Sequence, residues 1–457
     1  MTVPNYYSIL YFMHPLECRR LLPPDLKPLN TVNDYIAIGG GTGYKRALSM
    51  PPADVIAEIK KANLRGRGGA GFPTAIKWGG VRNEPCPTKY IACNFSEGEP
   101  GTYKDRYLIL KNPYHLFEGM AIALYAIGAK EGYIGIKKKY KPQVHRLFAA
   151  RKEMEEVGML PKGLIKIHLG PDEYLFGEEK GLLESIDGRY PMPRNIPPFI
   201  QGINFEPNSP NPTCVNNVES YCQAAYILRK GADDFKSVGS EDTPGTVMCT
   251  VCGDVKRPGV YEIAAGKVTL RQLLYDIAGG PAGEFPLKAV FSGVASGVVT
   301  PERFDTPVDF GSLKKAGGGL GSAGFIVYDE SACMVQTALK FSNFLAKSSC
   351  GQCVPCNRGT AQITELLKKI EQGHGSQDDL DAIAEISGRC TNQTRCFLPT
   401  QEAILIPSII NAFSLEFKKH IDRKNSSPER DLVLPKLHEY HEDTGTFSYD
   451  DPAKFSI

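Results

Sequence analysis

The chain has 457 residues, 42% of them apolar and 23% charged, which suffices for real hydrophobic cores and exceeds one small domain. Fifty-three Lys and Arg against 51 Asp and Glu leave a net charge of +2, so no overall field draws in nucleic acid or an anionic membrane. Thirteen cysteines, an odd number with no secretory signal ahead of them, argue against a disulfide framework and for reduced thiols or metal ligands in a cytoplasmic protein. The apolar patch Ile9–Met13 and the run Met120–Ile127 both fall short of the ~20 residues a spanning helix needs.

Residues 1–50 read as an irregular segment, broken by Pro23-Pro24 and Gly39-Gly40-Gly41. From Pro51 the pattern turns helical, with Val55, Ile56, Ile59 and Leu64 near helical spacing behind two prolines that a first turn tolerates. The Gly-rich run Arg65–Gly71 follows, then a strand at Tyr90–Cys93, a helix at Leu116–Ile127, and strands at Tyr133–Ile136 and Ile165–Ile167. This alternation predicts an α/β domain over residues 51–238. Residues 239–332 read as a smaller β-rich unit, with strands at Val247–Val251, Val260–Ile263, Ala289–Phe291 and Phe325–Tyr328 and one short helix at Leu270–Ile277. Residues 333–420 read as helices over 334–347, 360–371, 378–388 and 401–419. Residues 421–457 read as a polar, extended tail.

The strongest motif is Cys350-Gly351-Gln352-Cys353-Val354-Pro355-Cys356. A cubane iron–sulfur cluster needs four thiolates, and a tight loop at this C-x2-C-x2-C spacing supplies three. A helix starting near Gly359 would turn its amide hydrogens toward that anionic cluster. Zinc or unliganded thiols are the competing readings, but zinc sites usually separate two C-x2-C pairs by a longer stretch. Both Cys390 and Cys396 follow the next two helices and are candidates for the fourth ligand.

Gly66-Arg67-Gly68-Gly69-Ala70-Gly71 has the form GxGxxG, and so does Gly319-Leu320-Gly321-Ser322-Ala323-Gly324. A dinucleotide fingerprint needs a strand before it and a helix after, and neither run has both. The first still offers bare backbone where a flat ring or a phosphate can approach closely, unless it is simply a loop. Carboxylates gather at Glu97 and Glu99, and at Glu178 and Glu179, in glycine-flanked turns that either face solvent or accept hydrogen bonds from a ligand. Asn216 and Asn217 either bind a ligand or cap the helix expected at 218–229. Lys137–Lys139 reads as a solvated strand end and Trp78 as core. Cys249 and Cys252 fall on opposite faces of one strand, which argues against shared metal ligation.

Taken together, Leu64–Thr74 with Lys77-Trp78, Cys93–Thr102, Tyr174–Glu179, Val215–Glu219 and Ser349–Cys356 come in the order and spacing of one family. Over residues 35–420 the chain resembles the flavoprotein, NADH-oxidising subunit of respiratory complex I, a module shared with NAD-linked hydrogenases and formate dehydrogenases. The resemblance implies a Rossmann-like FMN-binding domain, a β-grasp domain of the SLBB type around Gly253–Tyr261, and a C-terminal helical bundle carrying one [4Fe–4S] cluster. It implies that Gly66, Gly68, Lys77, Asn94, Glu97, Gly177, Glu178, Asn216 and Asn217 hold FMN. The nicotinamide nucleotide, NAD(H), would meet Gly69, Phe72, Tyr174 and Phe199, with Glu99 and Glu179 shaping the catalytic pocket. It assigns the cluster to Cys350, Cys353, Cys356 and Cys396, Cys390 falling too early.

The reaction implied is hydride transfer between NAD(H) and flavin, followed by single electrons to the cluster. The partners implied are a thioredoxin-like [2Fe–2S] subunit and further subunits of a redox complex. Four positions depart from the family pattern. Gly80 stands for an aromatic that stacks on adenine, Ile196 for a lysine near the nucleotide, Ser96 for an aspartate and Phe176 for a cysteine beside the flavin. Losing one ring and one cation, each worth ~1 kcal/mol or more, predicts nucleotide binding weaker by about tenfold or more. The alternative reading is an FMN and iron–sulfur relay between protein partners, with an altered or lost NADH site.

Overall fold

The computed structural model describes residues 13–390, 395–422 and 430–450. The apolar patch therefore lies outside the described residues except for Met13, and so do parts of the tail. Four parallel strands, β1 (Tyr90–Phe95), β2 (Glu131–Lys137), β3 (Ile165–Gly170) and β4 (Thr213–Asn217), form the first sheet in the order β3-β2-β1-β4. The sheet is covered on both faces, and alternation along β1 makes the reason visible. Ile91, Cys93 and Phe95 join the large core with helix Pro113–Ile127, while Tyr90 and Ala92 pack with Leu182 and Leu183 of helix Glu179–Ile186. Each such large apolar side chain, once buried, contributes about 1.5–3 kcal/mol.

The second sheet contains β5 (Thr246–Gly253), β6 (Gly259–Ala264), β7 (Leu287–Ser292) and β8 (Gly324–Asp329) in the order β6-β5-β8-β7. Its outer pairs are antiparallel and its central pair, β5 with β8, is parallel. Cys249 packs into this sheet's own core and Cys252 into the large core, on opposite faces as the strand period requires. The short helical segment after β6 is wound as a π-helix over Gln272–Ile277. Helices Met334–Ser348, Val354–Glu371, Gln377–Arg389 and Leu398–Ala412 then build the C-terminal bundle.

Several local expectations are corrected. Within residues 1–50, helices Val32–Ala37 and Thr42–Leu48 form, the first behind a Thr31–Asp34 capping box. Such short helices show little periodicity and depend on tertiary partners, here Glu118 accepting from the Gly41 and Tyr44 N–H groups. The helix expected near Gly359 begins at Val354, because Pro355 suits a first turn and Cys353 occupies the cap. The segment 401–419 divides at Phe413 into Leu398–Ala412 and Ser414–Ile421. Lys137 is not a solvated strand end; it is fully buried, with Nζ donating to the Asp172 carbonyl at 3.0 Å. The tail also departs from an extended form: β9 (Leu437–His441) and β10 (Thr446–Tyr449) make a hairpin packed on the first domain.

Candidate functional site

The chain runs β1 to β2 to β3 outward on one side, then returns to place β4 on the other side of β1. The carboxyl ends of β1 and β4 thus flank a topological switch point, where open α/β sheets leave a crevice for ligands. Register puts Asn94 beside Asn217 and Cys93 beside Asn216 at that point. Asn216 Oδ1 accepts from the Trp78 indole at 3.0 Å, so the buried tryptophan orients a crevice side chain as well as filling the core. Asn217 caps helix Val218–Lys230 by accepting from Glu219 N–H at 3.0 Å, and its amide donates to Asp105 at 2.6 Å.

The glycine run lies between helices Pro52–Lys61 and Thr74–Asn83, not after a strand. A Cβ on Gly68 would sit 3.1 Å from that of Asn217, so the loop backbone lies directly against the crevice wall. Gly69 has φ +125°, and a Cβ there would lie 3.8 Å from the backbone of Gly321. The two GxGxxG runs therefore face each other across the two domains. Arg67 turns away from the crevice, buried and donating to the carbonyls of Pro244 and Thr246. Lys77 bridges the Glu179 carboxylate at 2.9 Å and the Val215 carbonyl at 3.0 Å. Burial opposes its charge, but Glu179 outweighs that and holds the lysine above its ordinary value.

The turn after β1 carries two carboxylates with different surroundings. Glu97, at φ +39°, accepts from the N–H groups of Asp105 and Arg106 and from Arg106 Nε at 2.6 Å. Its carboxylate holds the start of helix Lys104–Lys111, and burial raises its pKa against the pull of Arg106. Glu99 accepts from Tyr174 Oη at 2.6 Å and from Val294 N–H of the second domain at 2.7 Å. Burial raises Glu99 too, despite those two donors. Tyr174 in turn accepts from Gln401 of the bundle at 2.8 Å, so Glu99 sits where three parts of the chain meet.

One short 3-10 turn, Tyr174–Gly177, joins the crevice to the cysteine cluster. The Gly177 carbonyl accepts from Asn94 Nδ2 at 2.7 Å, and Glu178 caps the next helix through the N–H groups of Lys180 and Gly181. Burial pushes the Glu178 carboxyl up to about 7. Opposite Gly177 the buried Ser96 Oγ has no hydrogen-bond partner, and a Cβ on Gly177 would come within 3.1 Å of it. An orphan buried donor beside a bare backbone is what a bound polar ring system would complete. Phe176 instead points into the core, where a Cβ on Gly170 would lie 2.2 Å from its ring. On the open side, Phe72 and Phe199 are 52% and 48% exposed, Ile196 is exposed, and nothing lies within 4 Å of a Cβ built on Gly80.

Leu175, in the same turn, lines a small cavity with Ser349, Cys350, Cys353, Cys356, Cys396, Leu398 and Pro399. Four thiols from a loop, a helix start and the far side of the bundle thus surround one space. Thiols spread around a cavity suit a multi-iron cube better than one zinc. Ser349 Oγ lies 3.4 Å from Cys356 Sγ and Gln352 Nε2 donates to Cys350 Sγ at 3.3 Å, polar contacts of the kind that tune such a cluster. Cys390 is absent from the cavity; its sulfur packs over Gly359 and approaches the Pro355 carbonyl at 3.5 Å.

Residues 59–226 match the Nuo51 FMN-binding domain, and residues 336–420 match the NADH-ubiquinone oxidoreductase-F iron–sulfur binding region. One of the F-type subunits of NADH-quinone oxidoreductase from Rhizobium meliloti is 37% identical over 422 residues, covering 90% of this chain and 98% of that protein. The chain belongs to the family of NADH-quinone oxidoreductase F-type subunits. The HndC component of an NADP-reducing hydrogenase, from Solidesulfovibrio fructosivorans, is 35% identical over 86% of this chain and 81% of its own. Among solved structures, an air-oxidised NAD+-reducing [NiFe]-hydrogenase superposes with a TM-score of 0.75 at 31% identity, over 86% of this chain and 67% of that one. As a member of the F-type family, the chain carries an FMN-binding domain and a [4Fe–4S] region. Both fit: a glycine cradle with an orphan buried hydroxyl for the first, a four-thiol cavity for the second.

Some residues of this F-type site escape sequence reasoning. Lys104, Asp105 and Glu219 form a buried ion network beneath the crevice, with Lys104 Nζ 2.8 Å from both carboxylates, while the neighbouring Arg106 pairs with Glu97. Burial opposes the Lys104 charge, yet Asp105 and Glu219 together raise it above its usual value. The consecutive Lys104-Asp105-Arg106 beside a glycine turn is the available signal, but exposed charge runs look identical in sequence.

Proposed function

We propose that this chain is the electron-entry component of a multi-subunit oxidoreductase, exchanging hydride between NAD(H) and FMN and delivering single electrons to one [4Fe–4S] cluster. The observation that carries this is the Tyr174–Gly177 turn, which touches the crevice through Gly177 and the cysteine cavity through Leu175. FMN supplies the conversion of a two-electron donor into one-electron steps. The chain's part is to hold and orient. Gly66, Gly68, Asn94, Gly177, Glu178, Asn216 and Asn217 would line the flavin. Lys77 would give it a cationic neighbour held by Glu179. Glu97 would act by shaping the turn, since its carboxylate is engaged by Arg106. Gly69, Phe72, Tyr174 and Phe199 would take the nucleotide, with Glu99 fixing Tyr174. Cys350, Cys353, Cys356 and Cys396 would carry the cluster.

The second sheet supports the SLBB-type β-grasp reading and the division at 239–332. Val354 at 62% exposure and Phe397 at 50% flank the cluster ligands. They offer an apolar face for a thioredoxin-like [2Fe–2S] partner. No helix among the described residues is long and apolar enough to cross a membrane, and we place the chain on the cytoplasmic side of its complex.

A second reading, an FMN relay between proteins, draws support from the open space at Gly80 and the exposed Ile196. One anaerobic stopped-flow experiment separates them. NADH added to the FMN- and cluster-loaded chain should bleach the flavin absorbance rapidly. A flavin that dithionite reduces and NADH does not would overturn the NADH reading and favour the relay.

A further inference from the structure

The segment 430–450 lies beyond both matched regions, yet it ties together all three parts of the fold. Arg430 pairs with Asp254 of the second domain at 2.7 Å, and Leu432 N–H donates to Gln336 of the bundle at 3.1 Å. The strap then crosses the first domain. Gly101 N–H donates to the Pro435 carbonyl at 2.8 Å, and Arg106 donates to the carbonyls of Leu437 and His438, each at 2.9 Å. Farther along, Glu442 pairs with Lys111 at 2.7 Å and Asp450 with Lys139 at 2.6 Å.

At its centre Lys436 is 6% exposed and donates to the Gly98 carbonyl, between Glu97 and Glu99. Its ammonium lies 5.6 Å from the Phe344 ring centre, and its charge favours the ionised form of Glu99. Lys137 reaches the same turn from the end of β2, its Nζ 3.2 Å from where a Gly98 Cβ would stand. Burying a lysine close to Lys137 and Lys139 is unfavourable, and burial with those neighbours pulls its pKa well down. A side chain kept there at such cost implies a use beyond packing.

We propose that Lys436 is a positioning residue for the Ser96–Gly101 turn, so that the C-terminal strap completes the flavin and nucleotide site. Fixing the Gly98 carbonyl sets where Glu97 and Glu99 stand relative to Tyr174 and the Gly177 backbone. This rests on the function proposed above.

The test uses the full FMN- and cluster-loaded chain with ferricyanide as acceptor. Lys436→Met should raise the KM for NADH and the FMN dissociation constant about fivefold to tenfold, the size of one lost buried hydrogen bond, while kcat stays within about threefold. Lys111→Met, which loosens the strap away from the turn, should leave KM and FMN affinity unchanged. Folded K436M protein with both constants within about twofold of wild type would overturn the proposal. If K436M does not fold, Lys436→Gln, which keeps an N–H donor but shortens its reach to the Gly98 carbonyl, decides by the same readouts. A wild-type flavin that NADH fails to reduce would sink the NADH reading alone. The FMN dissociation constants would still decide the role of Lys436.

Discussion

Glu97 gives the sharpest test of how the site is built. Its carboxylate and the Arg106 guanidinium are both almost fully buried at 2.6 Å, and Arg106 also donates to the Thr102, Leu437 and His438 carbonyls. Replacing Glu97 with Ala leaves a buried guanidinium without its counter-charge, a loss of about 3–5 kcal/mol. It also strips acceptors from two N–H groups at the start of helix Lys104–Lys111. Spread over a domain of this size, that corresponds to a melting shift of roughly 6–20 °C, at about 2–4 °C per kcal/mol. Because the chain has several parts, the relevant transition is the one that releases FMN, followed by flavin fluorescence during heating. Arg106→Met should cost a comparable amount, and the double variant clearly less than the sum, since one interaction is being removed twice. Single variants melting within about 2 °C of wild type, or strictly additive losses, would refute the claim that this pair supports the turn after β1.

Three further outcomes follow from the same geometry. Cys396→Ser should lose most of the iron and the EPR signal of the reduced cluster, whereas Cys390→Ser should keep both, because only Cys396 lines the thiol cavity. Gly177→Ala should weaken FMN binding about tenfold by direct titration without changing iron content, since its Cβ would crowd the space beside Ser96 Oγ. Glu402, buried in the bundle and accepting from Ser342 Oγ, has its carboxyl pushed up to about 8 by burial. The folded state then binds the extra proton, so the stability it lends is present below the ordinary carboxylate pKa of about 4.3 and is lost as pH rises toward 8. Glu402→Gln should therefore melt progressively higher than wild type between pH 5 and pH 8, and a constant difference would exclude this carboxyl as the source.

Much of the site is legible in the sequence because its signals are local. Three thiols within seven residues, a glycine run and strand-ending asparagines declare chemistry wherever they fold. The residues that escape are charged side chains whose burial depends on distant partners. Lys104 is a surface lysine in sequence terms until Glu219, over a hundred positions later, arrives beneath it. Lys137 reads as a solvated strand end for the same reason, its partner Asp172 coming from the loop after β3. Glu97 and Glu99 look alike on paper, yet one braces a helix start and the other locks Tyr174.

The amino-acid sequence by itself determined the alternation that makes a parallel sheet, the thiol loop that can hold a cluster, and the family. Those properties rest on backbone period, ligand spacing and motif order, which need no knowledge of long-range contacts. Only the tertiary structure put Cys396 and not Cys390 on the cavity with the three loop thiols, brought the two glycine loops face to face, and turned a polar tail into a strap across the turn after β1. Each of those outcomes depends on segments tens to hundreds of residues apart meeting in a dry interior. There, burial sets both the pairing of charges and the sign of each pKa shift.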